Sequence, residues 1–278
     1  MDDFSLSNGD MIQMALCPIC SSGSVLAAQG IRTINPKSDL VVELRECVNC
    51  LHWWHNPMPK QTYLDRLYKT ASPFVVSQGW GEVIDEKQPL DRFGRLVVNG
   101  NGPGTPFNVL EVGTGTGVLF RHMQRLGHVC HGIDPGNWCK TPGIFASMQQ
   151  LPDESRYDVV VLQDVLEHLA SPLEMMGACR ERAKTGARIY CAFPSRDSWL
   201  ARLGRERWRM IRPLGHLHYF SQKSLKLLFK RSGWSVSRVD MIRAGYALDL
   251  LRTRQLAAVF THLLFGRDQW SVQGRVRM

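Results

Sequence analysis

The chain has 278 residues, 44% of them hydrophobic and 21% charged, which suits one full α/β domain plus a smaller module and excludes two large domains. Its first ten residues are acidic and polar, not a secretory signal, and its most apolar late segment, Leu256 to Phe265, is short and interrupted by Thr261 and His262, so a cytoplasmic location with no transmembrane segment is expected. The net charge of +9 is uneven: from Arg180 onward 21 Lys and Arg face 6 Asp and Glu, whereas residues 1–179 hold 13 against 19, so the later half is expected either to meet an anionic partner or to be a solvated helix face.

In chain order, the first chemistry lies in two knuckles, Cys17-Pro18-Ile19-Cys20 and Cys47-Val48-Asn49-Cys50. Each Cys-x-x-Cys turn aims two sulfurs at one point, and two such turns make a closed tetrahedral zinc site, with Cys17, Cys20, Cys47 and Cys50 as ligands. Two disulfides are the alternative, disfavoured in a chain read as cytoplasmic. Ile31–Ile34 and Leu40–Arg45 read as ribbon strands between the knuckles. Four cysteines already satisfy the metal, so His52 and His55 read as surface or packing residues. The scattered Cys130, Cys139, Cys179 and Cys191 read as buried small apolar residues. Pro57 to Tyr68 starts with helix-opening punctuation and continues with apolar residues at helical spacing. Ala71 to Asn99, with Phe74, Trp80 and Phe93, is either a lid or a packing segment, and Asn99 to Gly104 is the clearest linker.

Phe107 to Val112 reads as a buried strand that runs into Gly113, Gly115 and Gly117 and then into a helix from Val118 to about Leu126. Glycine at every second position lets a nucleotide-like ligand lie against the backbone. A dinucleotide fingerprint would need its third glycine where Val118 stands. Val129–Ile133 reads as a second strand ending in Asp134, which lies 21 positions beyond Gly113. There a carboxylate accepts hydrogen bonds from both hydroxyls of a ribose, or else simply opens the turn Asp134-Pro135-Gly136. A short strand at Ile144–Met148 follows, then a continuous apolar strand, Tyr157–Leu162, of the kind covered on both faces. Ser171 and Pro172 open a helix expected to reach Lys184 and close at Gly186, and Ala187–Phe193 is the next strand. Ser221–Ser232 is a helix stopped by Gly233. Trp234–Met241 and Gln269–Val276 are strands, with a basic helical excursion at Tyr246–Phe265 between them. This alternation predicts a doubly wound parallel sheet with ligands at the carboxyl ends of its strands.

Taken together, the knuckle pair, the Glu111-x-Gly113-x-Gly115-x-Gly117 loop, Asp134, the run Gln163-Asp164-Val165-Leu166-Glu167-His168 and the run His216-Leu217-His218-Tyr219-Phe220-Ser221 resemble the zinc-ribbon class I S-adenosylmethionine-dependent methyltransferases. Leu51 departs from the glycine common after the second knuckle. The resemblance implies an α/β, Rossmann-like class I methyltransferase sheet with an N-terminal zinc ribbon at residues 1–56, a helical linker that includes the lid or packing segment at 57–104, and the cofactor-binding domain with its basic C-terminal helical insertion at 105–278. It implies that Glu111, Gly113, Gly115 and Gly117 hold the methionine end of S-adenosylmethionine and Asp134 its ribose. Gln149 or Gln150 would lie beside the adenine, and Gln163 and Asp164 would face the transferred methyl group. His168, His216 and His218 are the candidate bases, with Tyr219 on the same rim.

Arg196, Arg202, Arg205, Arg207, Arg209 and Arg212, interleaved with Trp199 and Trp208, are expected to crowd the acceptor rim. The expected activity is O-methylation of an anionic small molecule or saccharide, diphosphate-linked in the favoured version. An RNA methyltransferase gripping phosphates with its ribbon and basic half is the competing enzyme. A non-catalytic binding module that keeps the fold stands outside both, and peripheral contact with an anionic membrane is a further partner reading for the basic segment Arg243–Arg267.

Overall fold

The computed structural model describes residues 7–34, 41–70, 90, 92–100, 104–136, 139–204, 208, 210–212, 215–243 and 267–277. Phe74, Trp80, Arg205, Arg207, Arg209 and the Tyr246–Phe265 excursion lie outside these residues.

The N-terminal module comprises β1 (Met11–Ile12), β2 (Val25–Ile34), β3 (Val41–Cys47), β4 (Trp53–Asn56) and β5 (Met58–Pro59), followed by α1 (Gln61–Thr70). Helix α2 (Arg92–Gly100) precedes the larger sheet, so Asn99 and Gly100, expected in a linker, form the last positions of a helix. The larger sheet begins with β6 (Asn108–Val112), α3 (Val118–Arg125), β7 (Val129–Ile133) and β8 (Ile144–Phe145). It continues with β9 (Tyr157–Gln163), α4 (Pro172–Glu181), β10 (Ala183–Pro194) and the short α5 (Trp199–Gly204). The chain then runs through β11 (His218–Tyr219), α6 (Gln222–Arg231), β12 (Trp234–Arg243) and β13 (Arg267–Val276).

Seven strands assemble in the order β12-β13-β10-β9-β6-β7-β8. From β10 to β8 every neighbour is parallel. The last strand, β13, inserts antiparallel between β10 and β12 instead of extending an edge. Side-chain alternation explains why β9 reads as one apolar run: Val160 and Leu162 enter one core cluster, Val159 and Val161 the other, and all four are fully buried. The first cluster is covered by Met176 and Cys179 of α4 and by Leu225, Leu228 and Phe229 of α6. The second is covered by Phe93 and Val97 of α2 and by Leu119, Phe120 and Met123 of α3.

Two expected boundaries move for identifiable reasons. Helix α4 stops at Glu181 rather than Lys184, because Ala183 already pairs with Tyr157 of β9. Gly186, expected to close that helix, instead takes a φ of 76° within β10, where the register with β9 shifts. The expected third strand shortens to Ile144–Phe145, and Met148–Gln150 is a single 3-10 turn.

The ribbon is not an independent appendage. Its sheet has the order β11-β4-β3-β2, so its edge strand comes from the larger domain, with His218 opposite Trp54 and Tyr219 opposite Trp53. Ser221, the N-cap of α6, donates its hydroxyl to the Cys50 carbonyl at 2.7 Å, and the Arg231 guanidinium donates to the Ile19 carbonyl. Ile19 and Trp54 share a continuous buried cluster with Leu162, Phe193 and Phe220. His52 and His55 are packing residues and not surface ones: both are fully buried, and His52 Nε2 lies 3.0 Å from His218 Nδ1.

Candidate active site

Strand β6 lies between β9 and β7, and the chain leaves it toward β7 on one side and returns as β9 on the other, so the loops at their carboxyl ends diverge and leave a crevice. A cleft of about 930 Å³ opens there. It is lined by Glu111 to Thr116, by Asp134, Gln149, Gln163 and Asp164, and by Glu167, His168, Arg212 and His216. Gln61, Asp65 and Tyr68 of α1, the helix that follows the ribbon, line it as well.

The glycine loop is shaped for a ligand in two different ways. Gly113 and Gly115 have φ of 74° and 51°, the left-handed region where a side chain is strained. A Cβ on Gly113 would sit 2.4 Å from Val165 Cγ2, whereas one on Gly115 would meet nothing within 4 Å, so Gly115 leaves open space over the backbone. Gly117 also has positive φ but does not line the cleft. A Cβ there would lie 2.6 Å from Cys139 Sγ, which makes it a packing residue at the N-cap of α3.

Asp134 follows β7 and is buried. Its two carboxylate oxygens accept the Gly115 N–H at 2.7 Å and the Gly136 N–H at 2.8 Å. Burial raises its carboxyl above the usual range, and these two amides pull the other way. Glu111, one strand over, is pushed up to about 8, chiefly by burial and then by Asp134, with Arg121 opposing. Its Oε2 is buried with no hydrogen-bond partner. A carboxylate in that state has capacity for a donor or cation brought by a ligand. Of the two glutamines, Gln149 lines the cleft, while Gln150 turns back to accept the Ala146 N–H at 2.9 Å. Asp164 holds a φ of 52°, sparsely populated for a residue with a side chain, and receives a hydrogen bond from Gln269 of β13.

The histidines separate into two groups. His168 and His216 line the cleft with their rings 4.8 Å apart edge-on. Burial lowers both, His168 to about 4 and His216 well below its ordinary range, so both are neutral at pH 7. His218 does not reach the cleft. It is fully buried on β11 between His52 and the Leu169 carbonyl, 3.0 Å from its Nε2, and so is excluded as a base. Tyr219 is likewise buried, donating its hydroxyl to the His216 carbonyl at 3.1 Å.

Of the expected arginine rim, Arg196, Arg202 and Arg212 are among the described residues. Arg196 pairs with Glu46 at 2.8 Å and lies over the Trp53 ring, tying the ribbon down. Trp208 is buried against Tyr219 and cannot stack on a ligand, while Trp199 is 61% exposed on α5. Of the six arginines, only Arg212 lines the cleft among the described residues. Tyr68, Asp65 and Gln269 line it too, and sequence reasoning missed them, because only tertiary packing brings α1 and β13 to this opening.

In the ribbon, Sγ of Cys17 lies 3.5 Å from that of Cys50 and Sγ of Cys20 3.4 Å from that of Cys47, with all four within 4.8 Å of one another. The eight cysteines of the chain are free thiols. Cys130, Cys179 and Cys191 are buried, as expected of small apolar residues, and Cys139 is partly so.

A family model described as a methyltransferase domain matches residues 82–239, more than half of the chain. Among curated proteins, the chain is similar to the ubiquinone biosynthesis O-methyltransferases of Pseudoalteromonas translucida (28% identical over 135 residues, 42% of this chain and 57% of the relative) and Maricaulis maris (30% over 123 residues, 39% and 47%). It thus spans about half to three fifths of the length of these relatives. Three solved structures share the fold. The cyclase SpnF superposes with a TM-score of 0.54 at 15% identity, covering 80% of this chain and 97% of that one. The 1,6-didemethyltoxoflavin-N1-methyltransferase of Burkholderia thailandensis gives 0.53 at 12%, covering 83% and 98%. Magnesium protoporphyrin IX methyltransferase of Synechocystis PCC 6803 gives 0.51 at 16%, covering 79% and 100%. The glycine loop, the carboxyl groups at the ends of β6 and β7 and the matched domain agree: the chain belongs to the methyltransferase-domain family and carries its Rossmann-like sheet.

Proposed function

We propose that this enzyme methylates a hydroxyl oxygen of a small anionic acceptor, a saccharide or other metabolite carrying phosphate or diphosphate. The observation that carries the reading is that His168, His216 and Arg212 line one cavity with the glycine loop and Asp134. When bound, S-adenosylmethionine supplies an activated methyl on its sulfonium, so the protein's tasks are positioning and proton removal.

Asp134 would hold the ribose hydroxyls, Gly113 and Gly115 would let the cofactor lie on the backbone, Gln149 would lie beside the adenine, and Glu111 would meet the methionine ammonium. Gln163 and Asp164 would border the reacting methyl. His168 Nδ1 faces the Gly215 carbonyl at 2.6 Å and His216 Nδ1 the Met210 carbonyl at 2.8 Å, so each N–H is donated there and each Nε2 keeps its lone pair. Either Nε2 can take the proton of an acceptor hydroxyl. Arg212 would pair with a phosphate oxygen of the acceptor. The name of the curated relatives, O-methyltransferase, supports oxygen as the methylated atom.

Zinc belongs to the same proposal, as a structural ion held by Cys17, Cys20, Cys47 and Cys50. The four sulfurs fit it: an ion about 2.3 Å from each thiolate sets them somewhat under 4 Å apart, close to the spacing observed. Incubation with labelled cofactor and a panel of nucleotide-diphosphate sugars, phosphorylated phenols and bulk RNA tests the acceptor. Label recovered as a methyl ether on a phosphorylated small molecule is expected, and label confined to RNA or to nitrogen would overturn the reading.

A further inference from the structure

Glu167, His168 and His216 carry more donor capacity than one proton transfer uses. Each offers one ligand atom within 4.8 Å of the other two. Glu167 is 1% exposed, and neither of its carboxylate oxygens has a hydrogen-bond partner. A buried acid with both oxygens idle is costly unless something else satisfies it.

The two imidazoles are prepared in a matching way. Each has its Nδ1 occupied by a backbone carbonyl, Gly215 for His168 and Met210 for His216, which leaves Nε2 as the free lone pair. That outer bond to a carbonyl is what orients histidine ligands and fixes their tautomer in metal centres. The three side chains come from two separate parts of the fold, the 3-10 turn after β9 and the segment before β11, and all three line the cleft. His168 Nε2 is 3.9 Å from Glu167 Oε1. Neighbouring ligands about 2.1 Å from one ion lie about 3 Å apart, so closure onto a metal asks for side-chain movement of about an ångström. Burial, and after it the Asp164 carboxylate, push the Glu167 carboxyl well above its ordinary range, and the Arg212 guanidinium opposes them.

We propose that Glu167, His168 and His216 bind one divalent cation of the borderline class, Mn2+, Fe2+, Co2+ or Zn2+, at the acceptor end of the cleft. Two imidazoles and one carboxylate suit these ions better than Mg2+, which prefers an all-oxygen shell, and three protein ligands leave positions open toward the cavity. An acceptor hydroxyl oxygen taking such a position would lose its proton to water more readily, which relieves His168 and His216 of acting as base. This use of the ion rests on the O-methylation reading, but binding of the ion does not. The site is also distinct from the four-cysteine cluster, which offers only sulfur.

Full-length protein loaded with zinc at the ribbon is titrated with Mn2+, and free Mn2+ is read by electron paramagnetic resonance. Mn2+ favours nitrogen and oxygen over thiolates, so the ribbon does not compete. One bound Mn2+ per chain is expected, with affinity at least tenfold weaker in Glu167→Gln and His216→Gln. Binding of S-adenosylhomocysteine should stay unchanged in both. Wild-type protein that takes up neither Mn2+ nor Co2+ at millimolar concentration would overturn the proposal without any variant. Equal affinity in His168→Gln, the most accessible of the three positions, would also overturn it, even if the buried variants fail to fold. Methyl transfer to nitrogen with metal binding intact would sink the O-methylation reading and leave the metal site standing.

Discussion

Glu111 gives the sharpest quantitative test of how the cofactor is held. Its carboxyl is raised from 4.5 to about 8 in the ligand-free protein, chiefly by burial. If it must be ionised to meet the methionine ammonium, binding below pH 8 releases a proton. At pH 6 only about 1% of the free protein would carry the ionised form, so apparent affinity would lie roughly a hundredfold below its plateau and climb about tenfold per pH unit. Calorimetry with S-adenosylhomocysteine at pH 6 and 7, in buffers of different ionisation enthalpy, reads both the slope and the proton. Glu111→Gln keeps the shape and removes the titration, so its affinity should be equal at the two pH values, with no proton released. A wild-type affinity independent of pH, or a slope that survives in the glutamine variant, would refute the reasoning. Stability gives the same sign. A folded value above the unfolded one contributes stability that is full below about pH 4.5 and is lost as pH rises through 8. The ligand-free wild type should therefore lose Tm across that window, and Glu111→Gln should lose less.

Three further outcomes are expected. Asp134→Ala removes the acceptor that ties Gly115 and Gly136 together as well as the proposed ribose contact. Its cofactor affinity should fall by roughly 1.5 to 3 kcal/mol, about tenfold to more than a hundredfold, and unchanged calorimetric affinity with an intact fold would exclude the assignment. Gly113→Ala and Gly115→Ala both strain a left-handed backbone by about 1 to 2 kcal/mol, but only the first also drives a Cβ into Val165. Thermal melts should therefore show Gly113→Ala as the less stable of the pair, while Gly115→Ala loses cofactor affinity by at least tenfold. Metal analysis should find one zinc per chain at the ribbon, and Cys50→Ser should lose that zinc together with cofactor affinity, because β4 carries β11 and Ser221 is bonded to the Cys50 carbonyl. Full retention of affinity in the metal-free variant would show that the ribbon does not support the cleft.

Local pattern was enough for much of this molecule. The two knuckles, the glycine loop with Glu111 before it, and Asp134 after β7 are contiguous signals, because each is made by one turn or one strand end and needs no distant partner. The β9 run was equally legible, since covering a strand on both faces demands apolar residues at every position, and Val159 to Leu162 provide them. What required the tertiary structure is whatever depends on which distant segments meet. Nothing in Arg267–Val276 says that it will slip antiparallel between β10 and β12, since strand-forming residues suit any neighbour. Nor could spacing distinguish His216 from His218. Two positions apart beside a strand, they share a sequence motif, yet one lines the cleft and the other is sealed against the ribbon, because β11 pairs with β4. The same pairing draws Arg196 onto Glu46 and Trp53 and buries Trp208 on Tyr219, so a cluster of arginines and tryptophans in sequence becomes ribbon packing plus one cleft arginine among the described residues. Charge and residue type fix what a side chain can bind, but only the closing of one sheet against another decides whether it faces a ligand or a neighbour.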